Sequence, residues 1–328
     1  MSGMSDFIIV APSRIHMNLL SMGYEGYRRN GGLGFAIDGW DTVFKCFKKG
    51  SNKVVDQRDS SLCSEELGKL SVYLDTLYLD LGLQNKVDVV ICAGPRPHSG
   101  LGVGTTTKLA LAEALMLANG RKYEPLDLIK LSRRGGTSGI GINTYFSGGF
   151  VLDVGVTDKD LVFGPSASRA SLSFSSPKVI IKAPMPAWDI GVLQSPSSKE
   201  MSGKDEEEFF LKNTPVAVRD VEAACYHAVM GVASAVLEGD YECFSDAIRN
   251  TQVLKWKSLE WAEQSGATND ARRWLEAHGA ISIGLSSFGP ALYFTGSKLE
   301  ELLSLDVPGD WQLKIVRPNN VGRVVSYV

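Results

Sequence analysis

The stretch Gly94-Pro-Arg-Pro-His-Ser-Gly-Leu-Gly-Val-Gly-Thr-Thr-Thr-Lys108 limits the possible folds more than any other part of this chain. The alternating apolar run Val87 to Ala93 leads into it. A helical period from Thr105 to Ala118 leads out, with Gly120 as its stop signal, so the stretch joins a strand to a helix. Gly100, Gly102 and Gly104 allow positive φ and a close approach of backbone to a ligand. Thr105, Thr106 and Thr107 put hydroxyls and unpaired N–H groups at a helix start, where an anion is favoured. Gly100, Leu101, Gly102, Val103 and Gly104, with the three threonines, therefore read as a phosphate cradle; a tight strand-to-helix turn is the alternative. No G-x-x-x-x-G-K-[ST] is present, and Thr105 stands where a third dinucleotide-binding glycine would be. Lys108, one turn into the helix, either adds a point charge to a phosphate or is simply solvated.

Three further segments join cationic or hydrogen-bonding groups to permissive backbone. Arg133-Arg-Gly-Gly-Thr-Ser-Gly-Ile-Gly-Ile-Asn143 holds Arg133, Arg134, Ser138 and Gly139. Its arginines suit bidentate capture of phosphate or carboxylate, or else complete the C-terminus of a helix over Leu126 to Ser132. Ser13-Arg-Ile-His16 follows a first strand at Phe7 to Ala11, and Arg28-Arg-Asn-Gly-Gly-Leu-Gly34 contributes Arg29, Asn30 and Gly31. His16 and His98 flank the first strand and the cradle, and each is a donor or proton carrier near neutral pH, or else a satisfied, non-catalytic histidine. No H-E-x-x-H, Cys/His cluster or G-x-S-x-G supports a zinc site or serine triad.

At 328 residues and 44% apolar content the chain can bury a sizeable core in about two domains. Its 34 Lys+Arg against 37 Asp+Glu give a charge of −3, which argues against holding a nucleic-acid backbone by bulk charge. Five scattered cysteines without a C-x-x-C pair, and no apolar run long enough for a membrane span or signal sequence, lead us to expect a soluble, cytoplasmic protein. Strand patterns recur at Phe35 to Phe47, Lys178 to Pro184, Ala280 to Leu285, Ala291 to Phe294 and from Trp311. Helical ones recur at Ser64 to Leu81, Ala217 to about Gln264 and Lys298 to Leu303. The order predicts an α+β sandwich with mostly antiparallel pairing, divided at the serine-rich stretch Ser166 to Ser176 into domains 1–176 and 177–328.

The run Pro97-His-Ser-Gly-Leu-Gly-Val-Gly-Thr-Thr resembles the phosphate-binding motif of the GHMP kinase superfamily. Ser13-Arg-Ile-His16, Asn30-Gly-Gly-Leu-Gly34, His98-Ser-Gly-Leu-Gly102, Ser138-Gly-Ile-Gly141 with Gly148-Gly-Phe150, and Gly284-Leu-Ser-Ser-Phe-Gly-Pro290 extend the resemblance. Together they look like the β-ribofuranosylaminobenzene 5′-phosphate synthase branch and its C-nucleoside-forming relatives. The resemblance implies an N-terminal domain like ribosomal protein S5 domain 2 and a ferredoxin-like C-terminal domain. It implies a homodimer whose donor is 5-phosphoribosyl 1-pyrophosphate. It further implies that C1 of the ribose is joined to a ring carbon of an aromatic or heteroaromatic acid, with release of pyrophosphate and CO₂.

On that basis the cradle, with Mg²⁺ as expected cofactor, holds the donor's phosphates. Arg14, Arg29, Arg133 and Arg134 are candidates for the 5′-phosphate or the acceptor carboxylate, Arg14, His16 and His98 for catalysis, and Ser286 and Ser287 close the site. An ATP-dependent small-molecule kinase is the main rival. Kinases of this superfamily commonly carry an Asp after a Ser-Gly pair; Ser138-Gly-Ile-Gly-Ile-Asn143 has none, and decarboxylative coupling needs none. A ligand sensor without chemistry is a third class. The family pattern also places an acidic residue near Asn30, an arginine near Thr137 and a Glu near Ser147, all absent here, which points to an altered acceptor pocket. The acidic stretch from Glu200 to Glu208 reads as a solvated loop and helix start, or as a flap over the site.

Overall fold

The computed structural model describes residues 6–158, 160–165, 176–196 and 203–328. Two long antiparallel strands, β1 (Phe7–Ser21) and β2 (Asn30–Lys48), form its spine. The chain continues through β3 (Val54–Asp56), α1 (Ser64–Asp80), β4 (Val87–Ala93), α2 (Val103–Ala118), α3 (Pro125–Ser132), α4 (Ile140–Ser147) and β5 (Phe150–Asp153). Then come β6 (Val179–Ala183), β7 (Ile190–Gln194), α5 (Gly203–Asn213) and α6 (Val218–Tyr226), which runs through a π-helical segment into α7 (Ser234–Glu238). Helices α8 (Tyr241–Gln252), α9 (Lys255–Ala262) and α10 (Gly266–Ala277) precede β8 (Ser282–Leu285), β9 (Leu292–Thr295), β10 (Gln312–Val316) and β11 (Val324–Tyr327).

These strands make two sheets. The first runs β11-β1-β2-β4-β3, and β2 is long enough to pair β4 along Val43–Lys48 and β5 along Gly32–Phe35, with β6 outside β5. The second runs β10-β7-β9-β8. Among these pairings only β3 with β4 is parallel, as the antiparallel α+β reading expects. Leu109, Leu111 and Leu115 of α2 pack with Phe7, Ile9, Phe44 and Ile91 on the first sheet, each such burial contributing about 1.5–3 kcal/mol. A second core sets Phe35, Phe150 and Leu152 of that sheet against Ile190 and Val192 of β7 and Phe244 and Ile248 of α8.

Several local readings shift. Ser13 to His16 lies inside β1, not after it, because the strand continues past irregularities at Ala11/Ser13 and His16/Asn18. The glycine segment after Arg134 becomes helical at Ile140, where Ile142, Thr144 and Tyr145 are buried. The strand expected at Lys178 to Pro184 is β6, and both it and β11 complete the first sheet although they follow residue 177. The boundary expected at Ser166 to Ser176 falls almost wholly outside the described residues. All five cysteines are free thiols, and no helix among the described residues is long and apolar enough to cross a membrane.

Candidate active site

The two irregularities in β1 bracket Ser13 to His16, and such departures from regular pairing re-aim side chains. Arg14 uses this freedom to reach the cradle: its Nη1 donates to the Gly100 carbonyl at 2.6 Å and its amide to the Leu101 carbonyl at 3.2 Å. The cradle glycines let neighbours close in. At Gly100, φ is 84° and a Cβ would sit 2.4 Å from the Ser286 carbonyl oxygen; at Gly102, φ is 88° and a Cβ would meet Arg14 Cγ at 2.9 Å. At Gly104 a Cβ would lie 3.2 Å from Arg134 Nη2. A side chain at any of the three would push the arginines or the Ser286 loop away from the helix start. The amides of Thr105 and Thr106 both donate to the Gly102 carbonyl, while those of Val103 and Gly104 meet no acceptor among the described residues. These two N–H groups are what α2 offers an anion.

Beside the helix start lies a cavity of about 160 Å³ lined by Arg14, His16, Thr105, Arg134, Ser138 and Ser287, with Glu206, Glu260, Phe210 and Phe288 completing its wall. A second cavity of about 140 Å³, with His98 and Gly100 on its surface, shares Glu206, Ser287 and Phe288 with the first. The two are parts of one cleft. Burial lowers Arg14 to about 10 and lowers Arg134 too, yet both stay cationic at neutral pH. Arg134 Nε is buried without a partner, a donor left for something outside the protein. Burial, reinforced by Arg14 and Lys257, holds His16 well below the ordinary histidine range, so a neutral imidazole faces the cavity. Burial raises Glu206, and the arginines oppose that rise.

The remaining expected residues divide. Ser286 Oγ accepts from the His16 amide and donates to the Gly100 carbonyl, stitching the second sheet's loop to the cradle. Asn30 Nδ2 holds the Gly136 carbonyl, and the Gly31 amide donates to Thr137, so both brace the segment that presents Arg134 and Ser138. Gly139 gives its amide to Asp153. Leu101, Val103 and Thr106 are buried, as is Thr107, whose hydroxyl has no partner. Lys108 is half-buried, its Nζ 5.4 Å from the Tyr73 ring, and burial followed by Arg134 and Arg133 lowers it to about 8. Ser13 Oγ donates to the Trp40 carbonyl and lines neither cavity. Arg29 stacks on Tyr24 at 4.7 Å, and Arg133, at φ 53°, is exposed; neither lines the cleft. His98 sits at the mouth, 2.8 Å from Glu66.

Sequence reasoning did not select Glu260, Lys257, Phe210 or Phe288 as site residues. Glu260 Oε1 accepts from Trp256 Nε1 at 2.7 Å and Oε2 from Lys257 Nζ at 2.6 Å. Lys257 also donates to the carbonyls of Leu285, at 2.7 Å, and Ser287, at 3.2 Å. The signal was present: Trp256-Lys-Ser-Leu-Glu-Trp261 sets a charged pair between tryptophans, and tryptophans that pack inward carry their helical neighbours with them. A carboxylate does reach the Ser138 segment, from β5: Asp153, pushed by burial up to about 6, accepts from the Gly139 and Gly155 amides. It braces that loop and lines neither cavity.

No family model matches the chain. Its sequence is 31% identical over 338 aligned positions to the β-ribofuranosylphenol 5′-phosphate synthase of Methanocaldococcus jannaschii, covering 97% of this chain and 99% of that one. The corresponding enzyme of Methanothermobacter thermautotrophicus is 30% identical over 292 residues, 88% of each chain. The chain belongs to the β-ribofuranosylphenol 5′-phosphate synthase family. It is therefore an enzyme, of a family of glycosyl-transferring synthases. Its fold is that of the GHMP kinases, as expected from the cradle motif. Homoserine kinase from Cytophaga hutchinsonii superposes with a TM-score of 0.66 at 17% identity over 99% of both chains. Mevalonate diphosphate decarboxylase from Staphylococcus aureus does so with 0.62 at 13% identity over 97% of this chain and 98% of that one.

Proposed function

We propose that the protein is a decarboxylating C-ribosyltransferase that joins C1 of 5-phosphoribosyl 1-pyrophosphate to a ring carbon of an aromatic or heteroaromatic acid. The carrying observation is that Arg14 and Arg134, from separate elements, close on one helix start and face one cavity. Two guanidinium groups and the Val103 and Gly104 amides make a fixed donor set for an anion that gains charge as it leaves. The ring carbon attacks C1 as the bond to pyrophosphate breaks. The carbon–carboxylate bond then releases CO₂ and returns its electron pair to the ring, so no ring proton needs a base. The neutral His16 imidazole fits such a step, in which it acts by hydrogen bonding.

Among the described residues no group of three or more His, Cys, Asp or Glu side chains could hold a metal by itself. That suits Mg²⁺, which commonly binds through one or two carboxylates plus substrate phosphates. Glu206, a cavity-lining carboxylate with no hydrogen bond among the described residues, is the donor that fits. When bound, the ion would neutralise charge on the departing pyrophosphate.

The test is to incubate the protein with phosphoribosyl pyrophosphate, Mg²⁺ and a panel of aromatic and heteroaromatic acids, following pyrophosphate and CO₂. Equal release of both, dependent on one acid, supports the reading. ATP hydrolysis, with no pyrophosphate released from the ribosyl donor, would replace it with the kinase.

A further inference from the structure

Resting on the ribosyl-transfer reading, we propose that Glu260 determines the acceptor: it accepts a hydrogen bond from an N–H or O–H group on the acceptor ring, so that only rings bearing such a donor are used.

Glu260 sits on α9 and faces the same cavity as Arg14 and Arg134. A buried carboxylate beside an anion-binding site needs a reason to be there. Its two oxygens each have one protein partner, Trp256 on Oε1 and Lys257 on Oε2. A carboxylate oxygen accepts two hydrogen bonds, so acceptor capacity remains on both. Burial raises Glu260 and lowers Lys257, while the ion pair between them opposes both shifts and favours the charged forms. Lys257 Nζ has three acceptors around it, Glu260 Oε2 and the Leu285 and Ser287 carbonyls, and only the ammonium form has three protons to give. The same contacts prevent the carboxylate from swinging towards the arginines, and they fix the loop that carries Ser287 and Phe288 into the cleft.

The cavity therefore presents cations, a braced carboxylate, and the apolar faces of Phe210 and Phe288. A planar acid with a ring N–H or O–H matches all three. The chemistry asks for the same group. Attack by a ring carbon that already bears a carboxylate requires an electron-rich ring, and a conjugated N–H or O–H supplies electrons best when its proton is drawn towards an anion. The proton stays shared with Glu260 while the carbon–carbon bond forms and pyrophosphate leaves. It returns fully to the ring heteroatom once CO₂ has departed, so Glu260 ends unchanged and no oxidant or reductant is involved.

The experiment uses the full chain with two matched pairs of acids: 4-hydroxybenzoate with 4-methoxybenzoate, and pyrrole-2-carboxylate with its N-methyl derivative. Binding is measured calorimetrically in the presence of pyrophosphate and Mg²⁺, and turnover with phosphoribosyl pyrophosphate. We expect the donor-bearing member of at least one pair to be favoured by roughly a hundredfold, since a buried acceptor left unpaired penalises the methylated analogue. In the charge-neutral double variant Lys257→Met with Glu260→Met, which removes the acceptor together with its cation, that ratio should fall to within about threefold. Equal treatment of both pairs by the unmodified protein, or binding of neither pair, overturns the assignment without any variant. A double variant that folds and keeps the full ratio overturns it as well. Discrimination in binding without turnover of any acid would instead sink the ribosyl-transfer reading and leave Glu260 as the ring's partner.

Discussion

Glu113 and Glu260 are both buried carboxylates, each paired with a cation and an aromatic donor, yet they do different work. Glu113 on α2 accepts from Tyr123 at 2.6 Å, Tyr145 at 2.5 Å and Arg323 at 2.8 Å, binding α2 to α4 and to the approach to β11. It lines none of the cavities described. Glu260 has one partner per oxygen and opens on the cleft. A buried ion pair occurs in structural networks as well as in active sites, so by itself it does not mark a site. What distinguishes the two is access: Glu113 is fully buried and lines neither cavity, whereas Glu260 stands in the wall of a space where a ligand fits.

This contrast can be broken in four ways. The largest effect is expected at the sealed site. Glu113→Ala strands Arg323 and two tyrosine hydroxyls, and should lower unfolding free energy by about 3–5 kcal/mol in denaturant titration. The fraction still folded should turn over at the unmodified rate; a kinetic defect instead would show that the back of α2 communicates with the cradle. Next, Arg14→Ala should reduce kcat/KM by roughly 10²- to 10³-fold. Unchanged donor affinity and turnover would remove that residue from the site.

Lys108, which sits one turn into α2 and lines neither cavity, tests through pH how far the cradle's field reaches. Its free ammonium is lowered to about 8 by burial and then by Arg134 and Arg133, so the cation is present below that pH and lost above it. A bound anion favours the protonated form, so pyrophosphate affinity should fall as pH rises past 8, by at most about tenfold per pH unit. Lys108→Met should flatten that limb. A limb that survives the substitution assigns it elsewhere. The smallest effect is expected for Arg133→Ala, within about twofold in kcat/KM, because the exposed Arg133 does not line the cleft. A large loss there would mean that the loop rearranges on binding.

The cradle was legible in the sequence because its glycines and threonines are contiguous, and local backbone demands alone determine what they do. Arg14 and His16 were legible as a motif, although their place inside β1 was not, since the irregularities that turn them depend on β2. Adjacent arginines could not be separated by reading. Positive φ at Arg133 sets it apart from Arg134, and Arg29 turns to Tyr24 while Arg28 is spent on the carbonyls of Val154 and Gly155. Glu206 and Glu260 escaped selection for one physical reason. A charged residue on a helix looks like a solvated face until tertiary packing closes over it, and that packing comes from residues far away in the chain. Within the acidic stretch, Lys204, Asp205 and Glu207 are exposed, while Glu206 turns into the cleft.

The pairing of β11 with β1, Phe7 against Tyr327 through Val10 against Val324, carries a further consequence. During synthesis on the ribosome, the outer rim of the first sheet stays uncovered until some three hundred later residues have emerged, although the strands beside it are made almost at once. Such a rim is a template for wrong partners. Slowing translation or severing this last ribbon should therefore harm the yield of soluble enzyme before it harms the chemistry of whatever enzyme survives.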